Sequence, residues 1–247
     1  MVKITNQKDA QKIRNLDFCY LCGKKILNES DRNHDHVPPK SVFKTEDRNF
    51  PIKLVTHKLK CHGSLNIEDE VIGQLISLLH GRTAGNFDKL KLKGYTLNGT
   101  SDFVVLFDKF KIEILLQRWI RGFYTALYMC ALSPETEFSV QPPLPIGDTS
   151  NGTLKEVISL DLFSVCEATI KQNIKANNTD SICCNNEKLL FNCVWDKLSD
   201  NSWGCIFSLD LYNWSNLGDS KYFQQKECVG LFRRPDGGAP TNAAKVL

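Results

Sequence analysis

The residue types that can bind metals or move protons are concentrated in one short stretch near the start of this sequence. Four of the five histidines lie between residues 34 and 62, and three of the ten cysteines flank them or lie among them. In chain order these residues are Cys19, Cys22, His34, His36, His57, Cys61 and His62. Thiolate and imidazole groups are preferred ligands of zinc, and a neutral imidazole is also a base. The stretch therefore indicates metal chemistry and proton transfer.

Two pairs of residues in this stretch fit a structural zinc site. Such a site has four tetrahedral sulfur or imidazole ligands, which two separate turns usually supply as pairs. Cys19 and Cys22 form the only C-x-x-C of the chain, and Cys61 belongs to the second pair. His57 is the nearest candidate partner of Cys61, although three residues separate them instead of two. Because residues 18–56 offer few apolar side chains, we expect the bound zinc to supply folding energy.

The polar residues that remain suit the hydrolysis of a phosphodiester. Asp35, His36 and His62 combine a carboxylate with imidazoles, which can hold a divalent ion and leave positions open for a phosphate. A neutral imidazole can take a proton from the attacking water. We interpret His34 as a solvated neighbour rather than a third metal ligand, and His80 as a residue near a helix end.

Three motifs in this stretch resemble motifs of the HNH endonuclease family, in the variant whose fold is stabilised by a zinc knuckle. The sequences CYLCGKKI, DHVPPKSVF and CHGSLNIEDE are similar to that family's CxxCGK, (D/E)HVPPKxxF and C-(N/H)-x-S-(F/L)-x-x-x-(D/E)-E motifs, in the same order. The resemblance covers residues 18–80. It implies a ββα-metal fold in which His36 is the general base. It also implies that Asp35 and His62 hold a catalytic divalent ion, Mg²⁺ or a similar metal.

The same resemblance places residues 38–54 in the β-hairpin that precedes the family's helix. The family's middle asparagine steers the general base, but no motif fixes it here. Asn49 is our choice by position, with Asn33 and Asn66 as alternatives. We expect three cationic side chains of this loop, Lys40, Lys44 and Arg48, to contact nucleic acid.

Hydrophobic periodicity and turn residues predict an α+β fold. A small zinc-stapled ββα-metal module follows a short helix in residues 5–15, for which Thr5 or Asn6 is the N-cap, and ends in a helix from residue 64 or 66 to about 80. Residues 81–102 are expected to be a polar connection. Further helices are predicted at residues 107–131 and 154–175, and antiparallel strands at 189–195, 203–212 and 227–233.

Proline and glycine residues divide the chain. Residues 134–153 contain four prolines and two glycines, which predicts a boundary there. The predicted parts are a zinc-stapled nuclease module (1–100), a packing helix (101–133), a C-terminal α+β region of unassigned role (154–235) and a flexible tail (236–247). Residues 1–100 carry 17 Lys and Arg against 11 Asp and Glu, a net charge of +6, whereas the remainder has a net charge of −3. The positive part suits a phosphate backbone.

Two arginines of the long helix have two interpretations. Arg118 and Arg121 lie three positions apart, so they could present guanidinium groups to phosphate. Alternatively, their aliphatic parts cover apolar surface where the helix packs on the nuclease module, which is the interpretation we favour.

The sequence thus predicts a metal-dependent endonuclease that hydrolyses phosphodiester bonds, with DNA favoured over RNA by the family resemblance. The alternative is a non-catalytic zinc-binding module that recognises nucleic acid or a protein partner. Such a module has no use for Asp35, His36 and His62. No segment reaches the roughly 18–20 apolar residues of a membrane span, and the start lacks a signal peptide. We therefore expect a cytoplasmic protein without membrane contact, whose C-terminal half could bind a regulator.

Overall fold

The structure, a computed structural model, has an α+β fold with a mixed sheet. It describes residues 1–63, 69–74, 91–97, 100–106, 109–141, 147–148, 155–156, 161–198, 200–212 and 228–233. The strands are β1 (Lys3–Ile4), β2 (Arg32–His36), β3 (Lys53–His57), β4 (Lys91–Leu97), β5 (Thr100–Leu106), β6 (Glu137–Gln141), β7 (Gly147–Asp148), β8 (Lys155–Glu156), β9 (Asp180–Cys184), β10 (Leu189–Lys197), β11 (Trp203–Leu211) and β12 (Cys228–Arg233). The helices are α1 (Gln7–Lys12), α2 (described at residues 69–74), α3 (Lys109–Tyr128) and α4 (Asp161–Lys175).

A six-stranded sheet organises the larger part of the described chain. Its strand order is β1-β9-β10-β11-β12-β6, in which β1 runs parallel to β9 and the other neighbours are antiparallel. The three strands predicted for the C-terminal region are confirmed as β10, β11 and β12. The predicted helices at 107–131 and 154–175 are observed as α3 and α4, each somewhat shorter.

Three strands of this sheet lie where the sequence predicts none. β9 occupies the asparagine-rich connection after α4, and β1 and β6 form the two edges of the sheet. β6 comes from residues 134–153, where the sequence predicts a boundary between two parts of the chain, and it pairs with β12 instead. Strands of two to five residues are too short to show a clear period. The β4–β5 hairpin likewise begins at residue 91, within the predicted polar connection, whereas residues 81–90 lie outside the described residues.

Two helices cover the opposite faces of the sheet. On one face α3 packs against it, and the ring centroid of Phe123 lies 4.8 Å from that of Phe191. On the other face Ile170 of α4 packs with Ile206 and Leu231. Successive residues of a strand point to opposite faces, and here both faces are covered. The central strand β11 is therefore buried from its second residue to its last.

One hydrophobic core joins the start of the chain to this sheet. The same cluster contains Leu54 of β3, Trp119 of α3 and Phe207 of β11, each at most 2 % exposed. Because α3 supplies apolar side chains to both parts, the predicted boundary at 134–153 does not separate two cores among the described residues.

The N-terminal module contains the predicted hairpin. β2 pairs antiparallel with β3 in a register that joins Arg32 to His57 and His36 to Lys53. A helical turn, Lys58–His62, follows β3 directly. The predicted α1 is confirmed with Asn6 as its N-cap. The helix predicted to complete the ββα module is described only at residues 69–74. Most of that helix, Asn66, His80 and the predicted tail at 236–247 lie outside the described residues.

Within the described ranges, no helix combines the length and the apolar character needed to cross a bilayer.

A close approach between α3 and the end of β2 depends on one glycine. A Cβ atom on Gly122 would lie 2.5 Å from a γ-carbon of Val37, the residue that follows His36. That distance is shorter than real contacts of a Cβ atom allow. The absence of a side chain at this position therefore lets α3 lie directly against the segment that carries the histidine.

We predict that Gly122→Ala lowers the free energy of unfolding by about 1–2 kcal/mol. Overpacking a core costs roughly 1–3 kcal/mol, and the better helix propensity of alanine recovers about 1 kcal/mol at most. Urea unfolding measures the change. Gly63→Ala is the matched control because a Cβ there meets no atom within 4 Å. Adding Val37→Ala should remove the part of the loss that comes from the clash. Equal stability of the Gly122 and Gly63 variants would contradict the prediction.

Candidate metal centre and active site

The first cysteine pair lies on a tight knuckle between the start of the chain and β2. The amide of Cys19 donates to the carbonyl of Lys24 at 2.9 Å, and the amide of Gly23 donates to the carbonyl of Cys19 at 2.8 Å. Gly23 has a φ of +71°, which glycine adopts without the steric cost of a side chain. The turn therefore folds back within five residues and directs both thiols to the same side.

The four predicted zinc ligands come together. The ligand atoms of Cys19, Cys22, His57 and Cys61 all lie within 4.8 Å of one another. His57 Nδ1 is 3.5 Å from the sulfur of Cys22 and 3.7 Å from that of Cys61. His57 ends β3, and the turn Lys58–His62 brings Cys61 back beside it despite the three-residue gap. This cluster could hold a metal ion, and its three sulfurs and one imidazole are compatible with zinc.

The thiols of this cluster differ in how easily they lose a proton. Burial disfavours the thiolate of Cys19, but hydrogen bonds from the Thr56 hydroxyl and from backbone amides outweigh it and lower the pKa of Cys19 to about 7. Burial and the neighbouring Cys19 and Cys22 raise the pKa of Cys61 to about 12. Repulsion between adjacent thiolates is relieved when a cation binds among them. The arrangement is therefore one that a bound dication stabilises.

A carboxylate lies behind the histidine of the cluster. His57 Nε2 is 3.9 Å from Asp31 Oδ2, while its Nδ1 faces the sulfurs. Metal-binding histidines commonly face a carboxylate with their second nitrogen, which fixes the tautomer and the ring orientation. Asp31 stands in that position here.

Asp35 is buried in the middle of a polar network. Its Oδ2 accepts hydrogen bonds from the Tyr20 hydroxyl at 2.6 Å and from Arg118 Nη2 at 2.5 Å. Its other oxygen, Oδ1, is 3.6 Å from His62 Nδ1. The carboxylate is thus held through one oxygen, and its second oxygen faces an imidazole.

The pair formed by Asp35 and His62 fits a divalent ion. His62 Nδ1 is buried and has no hydrogen-bond partner within the described part of the chain. A carboxylate oxygen beside an unpartnered imidazole nitrogen is a donor set of the kind that Mg²⁺, Mn²⁺ or Zn²⁺ accepts. The two predicted ligands of the divalent ion therefore lie side by side. Arg118, which binds Asp35, is 83 positions further along the chain.

His36 is the last residue of β2 and directly follows Asp35. Its side chain is half-buried, and burial followed by the charges of Lys40 and Lys53 lowers the pKa of His36 to about 4. The imidazole is therefore neutral at pH 7 and able to accept a proton. His34 Nε2 instead lies 3.2 Å from the carbonyl of Arg14, so this nitrogen faces the backbone and not solvent.

Among the three cations predicted to contact nucleic acid, Lys40 is exposed, whereas Lys44 and Arg48 are half-buried. Lys40 follows the DHVPP segment and is close enough to affect His36. The side chain of Arg48 is partly engaged, because its Nε donates to the carbonyl of Phe43 at 3.1 Å. The amide of Lys44 donates to the hydroxyl of Tyr212, which attaches this loop to the end of β11.

Asn49 does not contact His36 in the described structure. Its side chain is exposed, and its carbonyl accepts a hydrogen bond from the amide of Asn185 at 3.0 Å. Among the residues described, no hydrogen bond joins Asn49 or the alternative Asn33 to His36. The steering asparagine of the family therefore stays a prediction from position alone.

Sequence reasoning missed Tyr20 and Asp69, and left the role of Arg118 open between phosphate binding and packing. Arg118 is 4 % exposed and forms ion pairs with Asp35 and Asp69. Arg121 donates to three backbone carbonyls, those of Leu132, Ser133 and Pro134. Both guanidinium groups are therefore engaged within the protein instead of being presented to phosphate. The sequence did carry one signal for a carboxylate partner. Arg118 lies in a largely apolar helical stretch, and a cation that such a helix buries requires a carboxylate beside it.

Comparison of this chain with protein-family models, with curated proteins and with solved structures finds no match.

We predict that Cys19→Ser and Cys61→Ser each abolish stoichiometric metal binding at the Cys/His cluster and unfold the N-terminal module. The loss follows because a structural zinc site contributes its binding energy to folding. Metal analysis and circular dichroism measure the two effects. Cys183→Ser, a half-buried cysteine of β9 outside the cluster, is the control. Wild-type protein purified without any zinc would overturn the prediction.

Proposed function

We propose that this protein is a metal-dependent endonuclease of HNH type that hydrolyses phosphodiester bonds in nucleic acid. One observation carries the proposal. Asp35 Oδ1 and His62 Nδ1, of the two residues that the resemblance names as metal ligands, lie 3.6 Å apart. Asp35 precedes His36 on β2, and His62 follows Cys61 of the Cys/His cluster on the turn after β3. Two parts of the resemblance that lie far apart in sequence are thus neighbours in space.

The Cys/His cluster has a structural role in this proposal. A zinc ion bound to Cys19, Cys22, His57 and Cys61 fills all four positions of a tetrahedral site, which leaves none for substrate. The metal would connect the knuckle to the turn Lys58–His62. That turn also carries His62, so the structural ion fixes the position of a catalytic ligand.

The reaction begins when the neutral imidazole of His36 takes a proton from water. The resulting hydroxide attacks the phosphorus, a new P–O bond forms, and the bond from phosphorus to the leaving 3′-oxygen breaks. Asp35 and His62 would hold a divalent ion such as Mg²⁺, which supplies Lewis-acid stabilisation of charge on the phosphate. The low pKa of His36 keeps it unprotonated, as a base must be before the reaction.

DNA is the proposed substrate, and a basic surface near His36 supports a nucleic acid of some kind. Lys40 and Lys53 act electrostatically on His36 itself, so both are close to the reacting phosphate in this mechanism. Contacts of Lys and Arg with phosphates supply most of the sequence-independent affinity for nucleic acid.

A non-catalytic zinc-binding module is the second candidate, and one contact favours it. Asp35 already forms a buried ion pair with Arg118, so its charge is balanced without a second metal. In that case the hairpin would serve only to recognise nucleic acid or a protein. The two candidates differ in whether the protein cuts a plasmid when a divalent ion is added.

We predict that His36→Ala reduces nicking of supercoiled plasmid by about 100-fold or more, the scale expected for removal of a general base. The assay uses Mg²⁺ or Mn²⁺ for cleavage and EDTA as a blank. Zinc content and thermal stability should stay near those of the wild type, because His36 is not in the Cys/His cluster.

His34→Ala is the matched control for this experiment. It removes an imidazole two residues away on the same strand that contacts a backbone carbonyl. Nicking by this variant should stay close to that of the wild type. Undiminished nicking by His36→Ala would remove the general base from the mechanism, and a wild-type protein without nicking activity would favour the non-catalytic module.

We predict that Lys40→Ala weakens DNA binding and makes it less sensitive to salt. One lost phosphate contact should reduce the slope of log K against log salt by about 0.9. Fluorescence anisotropy of a labelled duplex, with His36→Ala as background to prevent cleavage, measures the slope. Lys175→Ala, an exposed lysine in the last turn of α4, is the control. Equal slopes for both variants would remove Lys40 from the interface.

A further inference from the structure

We propose that Tyr20 and Arg118 form a clamp that positions Asp35 as a ligand of the divalent ion. The name clamp refers to these two residues. Both are positioning residues, because they act through Asp35 and touch neither substrate nor ion. The inference rests on the proposed function. It extends the site to Tyr20, an unspecified position of the CxxCGK motif, and to Arg118 of α3, which lies outside the three motifs.

The clamp selects one oxygen of the carboxylate. Both of its hydrogen bonds end on Asp35 Oδ2, at 2.6 Å from the Tyr20 hydroxyl and 2.5 Å from Arg118 Nη2. Oδ1 receives neither bond and faces His62 Nδ1 at 3.6 Å. A carboxylate that can rotate offers either oxygen to a metal, whereas this one presents Oδ1 beside the imidazole in advance of the ion. Such preorganisation lowers the cost of binding.

The clamp is itself held in place by a closed set of contacts. Arg118 Nε donates to the Tyr20 hydroxyl at 3.2 Å, and that hydroxyl donates onward to Asp35. Arg118 Nη1 binds Asp69 of α2 at 3.0 Å. All three nitrogens of the guanidinium therefore have partners, and its planar fork fixes their directions. Tyr20 is also anchored, because its amide donates to the carbonyl of Val55 in β3 at 3.1 Å.

The charges of the network favour a cation beside it. A single carboxylate would neutralise Arg118, but two are paired with it, so these three groups carry a net charge of −1. Within these three groups the negative charges outnumber the positive one, which is compatible with a cation beside Asp35.

The test compares Mn²⁺ binding by full-length variants. Tyr20→Phe keeps the ring and removes the hydroxyl that binds Asp35. We expect the dissociation constant for Mn²⁺, measured by electron paramagnetic resonance of the free ion, to rise about tenfold or more, the scale seen when a partner of a metal ligand is removed. Zinc content should not change. Tyr128→Phe is the matched control, because it also removes a hydroxyl that donates to a carboxylate, that of Asp180, at 2.7 Å.

A second pair of variants separates geometry from charge. Arg118→Lys keeps the positive charge but loses the fork, and we expect it to weaken Mn²⁺ binding as Tyr20→Phe does. Arg121→Lys, three positions along the same helix, is its control because its guanidinium donates to backbone carbonyls and lies over the ring of Phe138 instead of binding a carboxylate. Should Arg118→Lys fail to fold, Tyr20→Phe still decides the outcome. A purely structural role would lower the melting temperature of a variant and leave its Mn²⁺ dissociation constant unchanged.

The outcomes distinguish the clamp from the proposed function. If the wild type binds Mn²⁺ and nicks plasmid while Tyr20→Phe and Arg118→Lys bind Mn²⁺ as tightly as it does, the clamp is overturned and the nuclease stands. Tighter Mn²⁺ binding by either variant also overturns the clamp, since Arg118 or Tyr20 would then compete with the ion. A wild type that neither binds Mn²⁺ nor nicks plasmid overturns both.

Discussion

The buried guanidinium of Arg118 is the constraint on which the arrangement of the candidate site depends. It joins α3 to β2 through Asp35 and to α2 through Asp69, and it touches the knuckle through Tyr20. Removing one partner of a buried ion pair costs about 3–5 kcal/mol, because the other charge remains without compensation. Those elements can therefore pack together only in a geometry that satisfies this cation. The position of α3 against Val37 follows from the same requirement.

Residue type and spacing are enough to predict the metal cluster and the main elements. Thiolates and imidazoles indicate their own chemistry, so Cys19, Cys22, His57 and Cys61 can be grouped from their types and their order in the chain. The long apolar period of α3 and the largely apolar runs of β10, β11 and β12 also extend over enough residues to be detected. These features are local, and a local pattern is what a sequence displays directly.

The features that sequence reasoning missed depend on distant partners or on very short segments. Asp35 and Arg118 are 83 positions apart, and neither residue alone indicates the other. The edge strands β1 and β6 are defined by their pairing with β9 and β12, which supply their hydrogen bonds.

The hairpin of β4 and β5 was also missed, although it does have a local signal. Asn98 and Gly99 follow one another between the two strands, and an Asn-Gly pair strongly favours a hairpin turn.

The helix α3 contacts the candidate active site with Arg118 and the aromatic core of the sheet with Phe123, five residues further along. A rigid helix that belongs to both makes their free energies interdependent. Thermodynamic linkage is reciprocal. If an ion at Asp35 raises the affinity of the sheet for a ligand by packing α3 more tightly, that ligand raises the affinity for the ion by the same factor. A partner that binds the C-terminal sheet, far from the histidines, would then act on the candidate site through α3.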